Sequence, residues 1–247
     1  MYIDPKSFSM AVLEKISAAR GEAGIGTLGE KTLHAALKLT LEPREQFREV
    51  PVGRYVADIC NEEGIIEIQT GGFFPLKDKL AAYLPEHTVR VVCPIPAEKY
   101  ICWIDEESGS VTPPRKSPRK GTWFHIFRQM VYIKHLLPCE RLILCPLLMR
   151  VTDYRLLNGW SEDKKRGSVR YERIPHEILD LRELCTPEDY AALLPAALPD
   201  PFTAKMLAAA AGLRTPEAQN SVRMLVHLGA LERCGSEGRA YLYRRKV

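Results

Sequence analysis

The chain has 247 residues, of which 46% are hydrophobic and 27% charged, and its formal net charge is +4. This length predicts one main hydrophobic core with a small appended module, and no apolar stretch approaches the ~20 residues of a membrane-spanning helix. The first residues, MYIDPKSFSMAVLEK, lack the basic and then apolar order of a signal peptide, which predicts a cytoplasmic protein with no membrane partner.

The first part of the chain alternates helical and strand patterns. Apolar residues at helical spacing predict helices near residues 8–20, 27–39 and 75–84. Three short β-like runs, FREVPV, RYVADIC and GIIEIQT, separate the second helix from the third, and TVRVVCPI follows as a strongly apolar strand. Residues 26–93 are therefore predicted to fold in the order helix, three strands, helix, strand, within an α/β protein.

A basic loop follows a predicted hairpin in the middle of the chain. The segment RKSPRKG contains four cations and a proline that keeps it out of regular structure. Such a loop can clamp a nucleic acid backbone, because each neutralised phosphate releases counterions; a solvated hairpin tip is the alternative. A helix, WFHIFRQMVYIKHLL, and a strand, RLILCPLLMRV, come next. The four cations are Arg115, Lys116, Arg119 and Lys120.

A proline-rich linker predicts a second domain at the C-terminal end. Pro195, Pro199 and Pro201 mark the linker, which divides the chain into domains at residues 1–195 and 200–247. The second of these has eight Lys or Arg against four Asp or Glu, so it carries the whole excess of positive charge. That balance favours a polyanion such as DNA as the partner of the C-terminal domain.

The C-terminal domain is predicted to be a winged helix-turn-helix. FTAKMLAAAAG and TPEAQNSVRMLVHLG are typical of helices that begin at the N-caps Thr203 and Thr215. ALERCG and RAYLYRR are typical of two strands joined by a polar turn. The packed side of the second helix is expected to consist of Val222, Leu225, Val226 and Leu228.

The other side of that helix is predicted to face DNA. Its residues are of the types that contact base edges in a groove, namely Gln219, Asn220 and Arg223. Further cations lie on or beside the wing and are expected to contact phosphates, namely Arg239, Arg244 and Arg245. Winged helices also bind proteins, so a protein partner or a second copy of the chain stays open.

Two acidic residues lie in neighbouring apolar runs of ADICNEEGIIEIQTGG. Burying Glu67 among isoleucines costs free energy unless a cation, a proton or a metal ion compensates. Residues two apart on a strand share a face, so Glu67 and Gln69 are expected at one site. Asp58 ends the preceding apolar run. The alternative for Glu67 is an ion pair with Arg54 or Lys79.

Together with the order of elements, Glu30 in TLGEK, Asp58 in VADI and Glu67 in IEIQ resemble the PD-(D/E)XK superfamily of restriction-endonuclease-like nucleases. Members of that superfamily carry an Asp on one strand and Glu-x-Lys on the next, often with a Glu on the preceding helix. The resemblance implies an αβββαβ core and a DNA endonuclease that hydrolyses phosphodiester bonds. It also implies Mg²⁺ or Mn²⁺ held by Asp58, Glu67 and Glu30.

One position departs from the pattern of that superfamily. Gln69 stands where many members have lysine, and glutamine supplies no positive charge, although its amide can orient a water molecule. Some members move the lysine to the following helix, where this chain has Lys77 and Lys79. Lys79 shares a helical face with Tyr83, so Lys79 is the first candidate and Lys77 the second. The other interpretation is a noncatalytic DNA-binding or assembly protein on a nuclease-like scaffold.

Overall fold

The computed structural model describes residues 1–21, 32–157 and 170–246. No helix within these ranges has the length and apolar character needed to cross a membrane. The helices are α1 (Pro5–Gly21), α2 (Thr32–Leu41), α3 (Lys77–Tyr83), α4 (His125–Met130), α5 (Pro187–Ala191), α6 (Ala204–Ala211) and α7 (Thr215–His227). The strands are β1 (Arg48–Val52), β2 (Tyr55–Asn61), β3 (Gly64–Ile68), β4 (Val89–Ile104), β5 (Arg115–Lys116), β6 (Leu142–Leu156), β7 (Arg170–Leu181), β8 (Phe202–Thr203), β9 (Leu231–Glu237) and β10 (Ala240–Arg245).

The larger of the two sheets in the described residues mixes parallel and antiparallel pairs. Its strand order is β1-β2-β3-β4-β6-β7, with β5 paired to β4. β3 pairs antiparallel with β2, where Ile66 is opposite Ile59, and parallel with β4, where Ile66 is opposite Arg90. The α/β class predicted from the sequence is confirmed. The predicted run of helix, three strands, helix and strand is found in the described residues as α2, β1, β2, β3, α3 and β4.

The chain divides into two compact units. The first unit consists of Met1–Val50, Pro94–Thr122 and Leu147–Leu181, and the second of Pro51–Cys93, Trp123–Pro146 and Arg182–Val247. One hydrophobic cluster of the second unit contains Ile65 and Leu80 as well as Val222 and Leu225. Residues on both sides of the proline-rich linker therefore contribute to the core of the second unit. The domain boundary at residues 195–200 stays a prediction.

The described part of the first unit has two helices and a long antiparallel pair of strands. α1 contacts α2, and both helices contact β7. β7 pairs antiparallel with β6, with Arg173 opposite Asp153. Three apolar residues of α2, Leu33, Ala36 and Leu37, are buried. This unit thus presents charged side chains of β6 and β7 in fixed cross-strand pairs.

β3 is a deeply buried strand of the second unit. Ile65, Ile66, Glu67 and Ile68 are all buried, as expected of a strand that has a neighbour on each side and cover on both faces. Gly64 begins β3 with a φ of +115°, and a Cβ atom there would lie 2.4 Å from the carbonyl oxygen of Thr88. Glycine at this position therefore allows β3 to lie close to the residue that precedes β4.

The start of α6 agrees with the sequence, whereas α7 begins one residue earlier than expected. Thr203 caps α6, because its hydroxyl oxygen accepts the backbone N–H of Met206 at 3.3 Å. Thr215 is already inside α7, and the N-cap is Arg214. The prediction of Thr215 as N-cap is wrong because the Glu217 carboxylate accepts the backbone N–H of Arg214 at 3.0 Å.

Replacing Gly64 by alanine is expected to destabilise the second unit strongly. The new Cβ atom would lie 2.4 Å from a backbone oxygen, which yields less readily than the end of a flexible side chain. Overpacking of this kind costs about 1–3 kcal/mol, and the unfavourable φ adds about 1–2 kcal/mol. Urea denaturation of the variant measures the loss in the free energy of unfolding.

Gly53→Ala is the matched control for this substitution. Gly53 also has a positive φ, +59°, but nothing lies within 4 Å of its Cβ position. We expect this variant to lose only the conformational part, about 1–2 kcal/mol. Equal losses in the two variants would contradict the close approach of β3 to Thr88.

Candidate functional site

Two adjacent strands of the second unit bring Asp58 and Glu67 together. Ile59 of β2 is opposite Ile66 of β3 in the antiparallel register, so the residues on either side of that pair, Asp58 and Glu67, are also neighbours across the strands. Asp58 is half-buried, and its Oδ2 accepts the backbone N–H of Ile68 at 2.8 Å. That hydrogen bond fixes the Asp58 carboxylate against β3.

Glu67 is the buried carboxylate of the site. Its residue is 3% exposed, and its Oε2 accepts a hydrogen bond from Lys79 Nζ at 2.7 Å. Its other oxygen, Oε1, is buried and accepts no hydrogen bond from the described part of the chain. The pKa of this carboxyl is raised to about 7, chiefly by burial and also by the charge of Asp58, against the lowering effect of Lys79. The ion pair with Lys79 therefore offsets only part of the free energy that it costs to bury the charged Glu67 carboxylate.

α3 contributes two side chains to the same site. Lys79 is mostly buried, and its Nζ lies 5.9 Å from the centroid of the Tyr83 ring. Tyr83 is 1% exposed, and within the described ranges its hydroxyl has no hydrogen-bond partner. The pKa of Tyr83 is raised above its ordinary value by burial first and then by the charges of Glu67 and Asp58. The shared helical face predicted for Lys79 and Tyr83 thus lies against the two carboxylates.

The other two residues predicted to act in catalysis have different surroundings. Gln69 is half-buried at the end of β3, and its Nε2 donates a hydrogen bond to the carbonyl oxygen of Gly72 at 2.6 Å. Lys77 lies over the ring of Phe74, with its Nζ 4.9 Å from the ring centroid. Of the two candidate lysines, the structure pairs Lys79 with Glu67 and places Lys77 over an aromatic ring.

The carboxylates of this site suit a hard divalent cation, but only two of the three predicted ligands lie in the described chain. Glu30, the third predicted ligand, lies outside the described residues. No group of three or more His, Cys, Asp or Glu side chains in residues 1–21, 32–157 and 170–246 is arranged to hold a metal ion. Asp58 and Glu67 both offer carboxylate oxygens, the ligands that Mg²⁺ prefers. The buried Glu67 Oε1, which accepts no hydrogen bond from the described residues, fits a cation ligand.

The predicted basic loop lies in the first unit and faces solvent. Arg115 and Lys116 form β5, which pairs with β4, and both side chains are exposed. Arg119 and Lys120 follow and are also exposed. Ser117 between them is buried, and its backbone N–H donates to the carbonyl oxygen of Lys99. The loop is therefore anchored to β4 while its cations remain accessible.

The side of α7 that was predicted to face DNA is partly occupied by contacts within the protein. Gln219 and Arg223 are exposed, but Asn220 is half-buried and its Nδ2 donates to the carbonyl oxygen of Phe127 at 3.1 Å. The expectation that Asn220 faces solvent is wrong because α7 packs against α4. Val226, expected on the packed side, is 38% exposed.

The arginines around the C-terminal hairpin differ in their exposure and in their contacts within the protein. Arg239 is exposed in the turn between β9 and β10. Arg244 is exposed and lies 3.8 Å from Glu232. Arg245 is half-buried, donates to the carbonyl oxygen of Pro195 at 3.3 Å and lies 3.7 Å from Asp200. Arg245 is thus held against the linker, whereas Arg239 remains accessible.

The sequence did not predict the ion pair between Asp153 on β6 and Arg173 on β7. Asp153 is buried, and Arg173 forms two hydrogen bonds with it. The two residues are 20 positions apart, so their contact follows only from the strand register. In the sequence, Asp153 and Arg155 are two residues apart, which places them on one face of a strand, but the spacing of charges does not pair either of them with Arg173.

Comparisons with known proteins identify a family for the chain. A protein of Treponema pallidum (strain Nichols), described as an uncharacterized protein, is 30% identical over 230 residues, which cover 90% of this chain and 88% of the relative. No solved structure matches the chain. Residues 31–185 match the family described as a domain of unknown function, DUF8091, and the chain therefore belongs to the DUF8091 family.

Proposed function

We propose that this protein is a DNA endonuclease that hydrolyses phosphodiester bonds with Mg²⁺ or Mn²⁺. The observation that carries the proposal is the burial of Glu67 next to Asp58, with one Glu67 oxygen that accepts no hydrogen bond from the described residues. Leaving a buried carboxylate oxygen without a partner costs free energy. A divalent cation bound by both carboxylates would remove that cost.

The protein would hold the cation through its own fixed side chains. Asp58 and Glu67 are the proposed ligands among the described residues, and Glu30 is the third ligand implied by the resemblance to PD-(D/E)XK nucleases. The hydrogen bond from the Ile68 backbone to Asp58 keeps one carboxylate in place before any cation binds. When bound, Mg²⁺ or Mn²⁺ would lower the pKa of a coordinated water and neutralise charge on the phosphate.

Lys79 would supply the positive charge that Gln69 lacks. Its ammonium group lies 2.7 Å from Glu67, so a phosphate bound at the carboxylates would be within its reach. A fixed cation at this place would stabilise the charge that develops on the phosphate during hydrolysis. Gln69 donates its amide N–H to Gly72, and its amide oxygen is therefore the group that would orient the attacking water.

The arrangement of elements supports the restriction-endonuclease-like interpretation. α2, β1, β2, β3, α3 and β4 follow the αβββαβ order of PD-(D/E)XK cores, with β2 and β3 antiparallel and β3 and β4 parallel. At the C-terminal end, α6 and α7 are followed by β9 and β10, which join β8 in an antiparallel sheet. That order is typical of a winged helix, which would direct the nuclease to DNA.

Accessible cations and amides support DNA as the substrate. Exposed basic side chains can neutralise backbone phosphates, and an exposed amide or guanidinium on α7 can contact base edges. Asn220 and Arg245 have internal partners, so we leave them out of the proposed DNA contacts. The side chains that remain are Arg115, Lys116, Arg119, Lys120, Gln219, Arg223, Arg239 and Arg244.

A noncatalytic DNA-binding or assembly protein is the second candidate function. The observation that favours it is the ion pair between Lys79 and Glu67, because an internal cation already compensates one Glu67 oxygen. Gln69 at the position of the expected lysine also favours it. A protein of this kind would bind DNA without cleaving it and would bind no divalent cation at Asp58.

Asp58→Asn is expected to abolish Mn²⁺ binding and to lower DNA cleavage by on the order of 100-fold or more. Asparagine keeps the size of the side chain and an acceptor for the Ile68 N–H, but it removes the negative charge that the cation requires. Isothermal titration calorimetry measures Mn²⁺ binding, and nicking of supercoiled plasmid measures cleavage. Glu86→Gln, which removes an exposed carboxylate of the same unit, should change neither result. Cleavage by Asp58→Asn at the wild-type rate would reject the proposal.

The free energy of unfolding is expected to fall as pH rises from about 4.5 to about 7 in metal-free buffer, because of Glu67. Its pKa is raised from 4.5 to about 7 in the folded protein, so the folded state binds a proton more tightly than the unfolded state does. The stabilisation is complete below the lower value and is lost as pH rises through the higher one. Chemical denaturation across this range should show the decrease in wild type and a smaller one in Glu67→Gln. The same decrease in both proteins would contradict the raised pKa of Glu67.

Lys79→Gln is expected to lower the cleavage rate by on the order of 100-fold while Mn²⁺ still binds. The variant loses the charge near the phosphate but also releases Glu67 from its ion pair, so metal binding should not weaken. Single-turnover cleavage of labelled duplex DNA measures the rate. Lys77→Gln is the control, because Lys77 lies over Phe74 instead. A large loss in Lys77→Gln with none in Lys79→Gln would reverse the assignment of the lysine.

A further inference from the structure

Two aromatic rings lie next to each other on the surface of the second unit. Phe74 is 58% exposed and Tyr132 is 47% exposed. Their ring centroids are 5.8 Å apart, and the ring planes meet at 79°. A single exposed apolar side chain is ordinary, so the feature that needs an explanation is that two exposed rings are neighbours. We refer to Phe74 and Tyr132 as the aromatic pair.

The backbone holds both rings at the surface. Phe74 begins the 3₁₀ turn Phe74–Leu76 and follows Phe73, whose side chain is buried. Tyr132 belongs to the 3₁₀ segment Val131–Leu136, in which the next residue is a buried isoleucine. The two segments also contact each other. Because both segments are anchored in the core, the rings are in position before a ligand binds, which lowers the entropic cost of binding one.

A basic side chain lies beside each ring. Lys77 lies over the Phe74 ring, with its Nζ 4.9 Å from the ring centroid, and this cation–π contact helps to fix the ring. Arg128 is exposed on α4, one helical turn before Tyr132. Aromatic rings next to basic side chains are typical of surfaces that bind single-stranded nucleic acid, where the rings stack on bases and the cations contact phosphates.

The aromatic pair is close to the carboxylates of the candidate site. Phe74 precedes Lys79 by five residues in one continuous helical segment, and Lys79 donates a hydrogen bond to Glu67. At a rise of about 1.5–2 Å per residue, this separation is on the order of 9 Å along the helix. A single strand of nucleic acid is therefore long enough to contact the aromatic pair and the carboxylates together.

We infer that the aromatic pair stacks against unpaired bases of DNA. Every base has a flat face that stacks on an aromatic ring, but in a duplex the neighbouring bases cover both faces. Only a single strand, or a base turned out of the duplex, offers a free face to the protein. The inference rests on the proposed function and makes its substrate more specific, namely DNA with unpaired bases next to the bond that is cut.

Oligonucleotides with and without bases test the inference. Fluorescence anisotropy measures binding of the full-length protein, in EDTA, to labelled single-stranded oligothymidylate and to an abasic strand of the same length. Wild type should bind oligothymidylate more tightly. Phe74→Leu and Tyr132→Leu should each weaken that binding by on the order of tenfold and leave binding of the abasic strand unchanged, because leucine is apolar but has no ring. Phe74→Trp keeps a ring and should bind as wild type does.

Tyr2→Leu is the matched control, because Tyr2 is an exposed aromatic residue of the first unit. It should leave binding of both strands unchanged, and circular dichroism shows that each variant is folded. Equal affinity of wild type for the two strands, or binding of neither, would overturn the inference. Full binding of oligothymidylate by Phe74→Leu and Tyr132→Leu would also overturn it, as would a loss of equal size in Tyr2→Leu.

Two further measurements separate this inference from its rivals. Dimerisation of wild type that both leucine variants lose, while their DNA binding persists, would overturn the inference in favour of a contact with a second copy of the chain. Sedimentation velocity at several protein concentrations measures the dimer. Asp58→Asn should bind oligothymidylate in EDTA as wild type does, so failure of the nuclease proposal is seen separately in metal binding and cleavage.

Discussion

A carboxylate buried between two strands needs a compensating charge, and this need explains how the residues around Glu67 are arranged. Its strand is buried on both faces, so water cannot solvate it. The surrounding residues compensate the Glu67 charge only in part. Lys79 donates a hydrogen bond to one Glu67 oxygen, while Asp58 adds a second negative charge next to Glu67. A fold that needed only stability would place an apolar residue here, because a buried ion pair stabilises a protein no better than a well-packed hydrophobic side chain does. A divalent cation bound by Asp58 and Glu67 would explain why the fold accepts the free-energy cost of burying Glu67.

The two candidate functions differ in what compensates Glu67. In the noncatalytic protein the ammonium of Lys79 is the permanent partner, and the second Glu67 oxygen remains a structural cost. In the nuclease a divalent cation takes the place beside both carboxylates, and Lys79 then acts on the phosphate. The basic side chains of the first unit fit either function, since both require a polyanion. In the proposed nuclease, Asp58, Glu67 and Lys79 would act on the phosphate, whereas affinity for DNA would also draw on the cations of the exposed loop.

Local sequence patterns predicted much of the fold. The features they did not predict depend on contacts between residues that are far apart in the sequence. The isoleucines around Glu67 predicted a buried strand, and the spacing of Lys79 and Tyr83 predicted a shared helical face; both follow from the pattern of a single element. Asn220 was expected to face solvent because α7 was considered by itself, but it bonds to Phe127, 93 positions away. The contact of Arg173 with Asp153 depends on strand register, which charge spacing along the chain does not specify. Glu30 lies outside the described residues, so its place at the site stays a prediction.

The pKa of the Glu67 carboxyl, with and without Mg²⁺, tests the central claim most directly. Nuclear magnetic resonance of protein labelled with ¹³C at glutamate carboxyls follows this group, with Glu67→Gln to assign its signal. We expect a pKa of about 7 without metal and a clear decrease when Mg²⁺ is added, because the cation competes with the proton. A pKa near 4.5, the ordinary glutamate value, that Mg²⁺ leaves unchanged would contradict both the uncompensated burial of Glu67 and its role as a metal ligand.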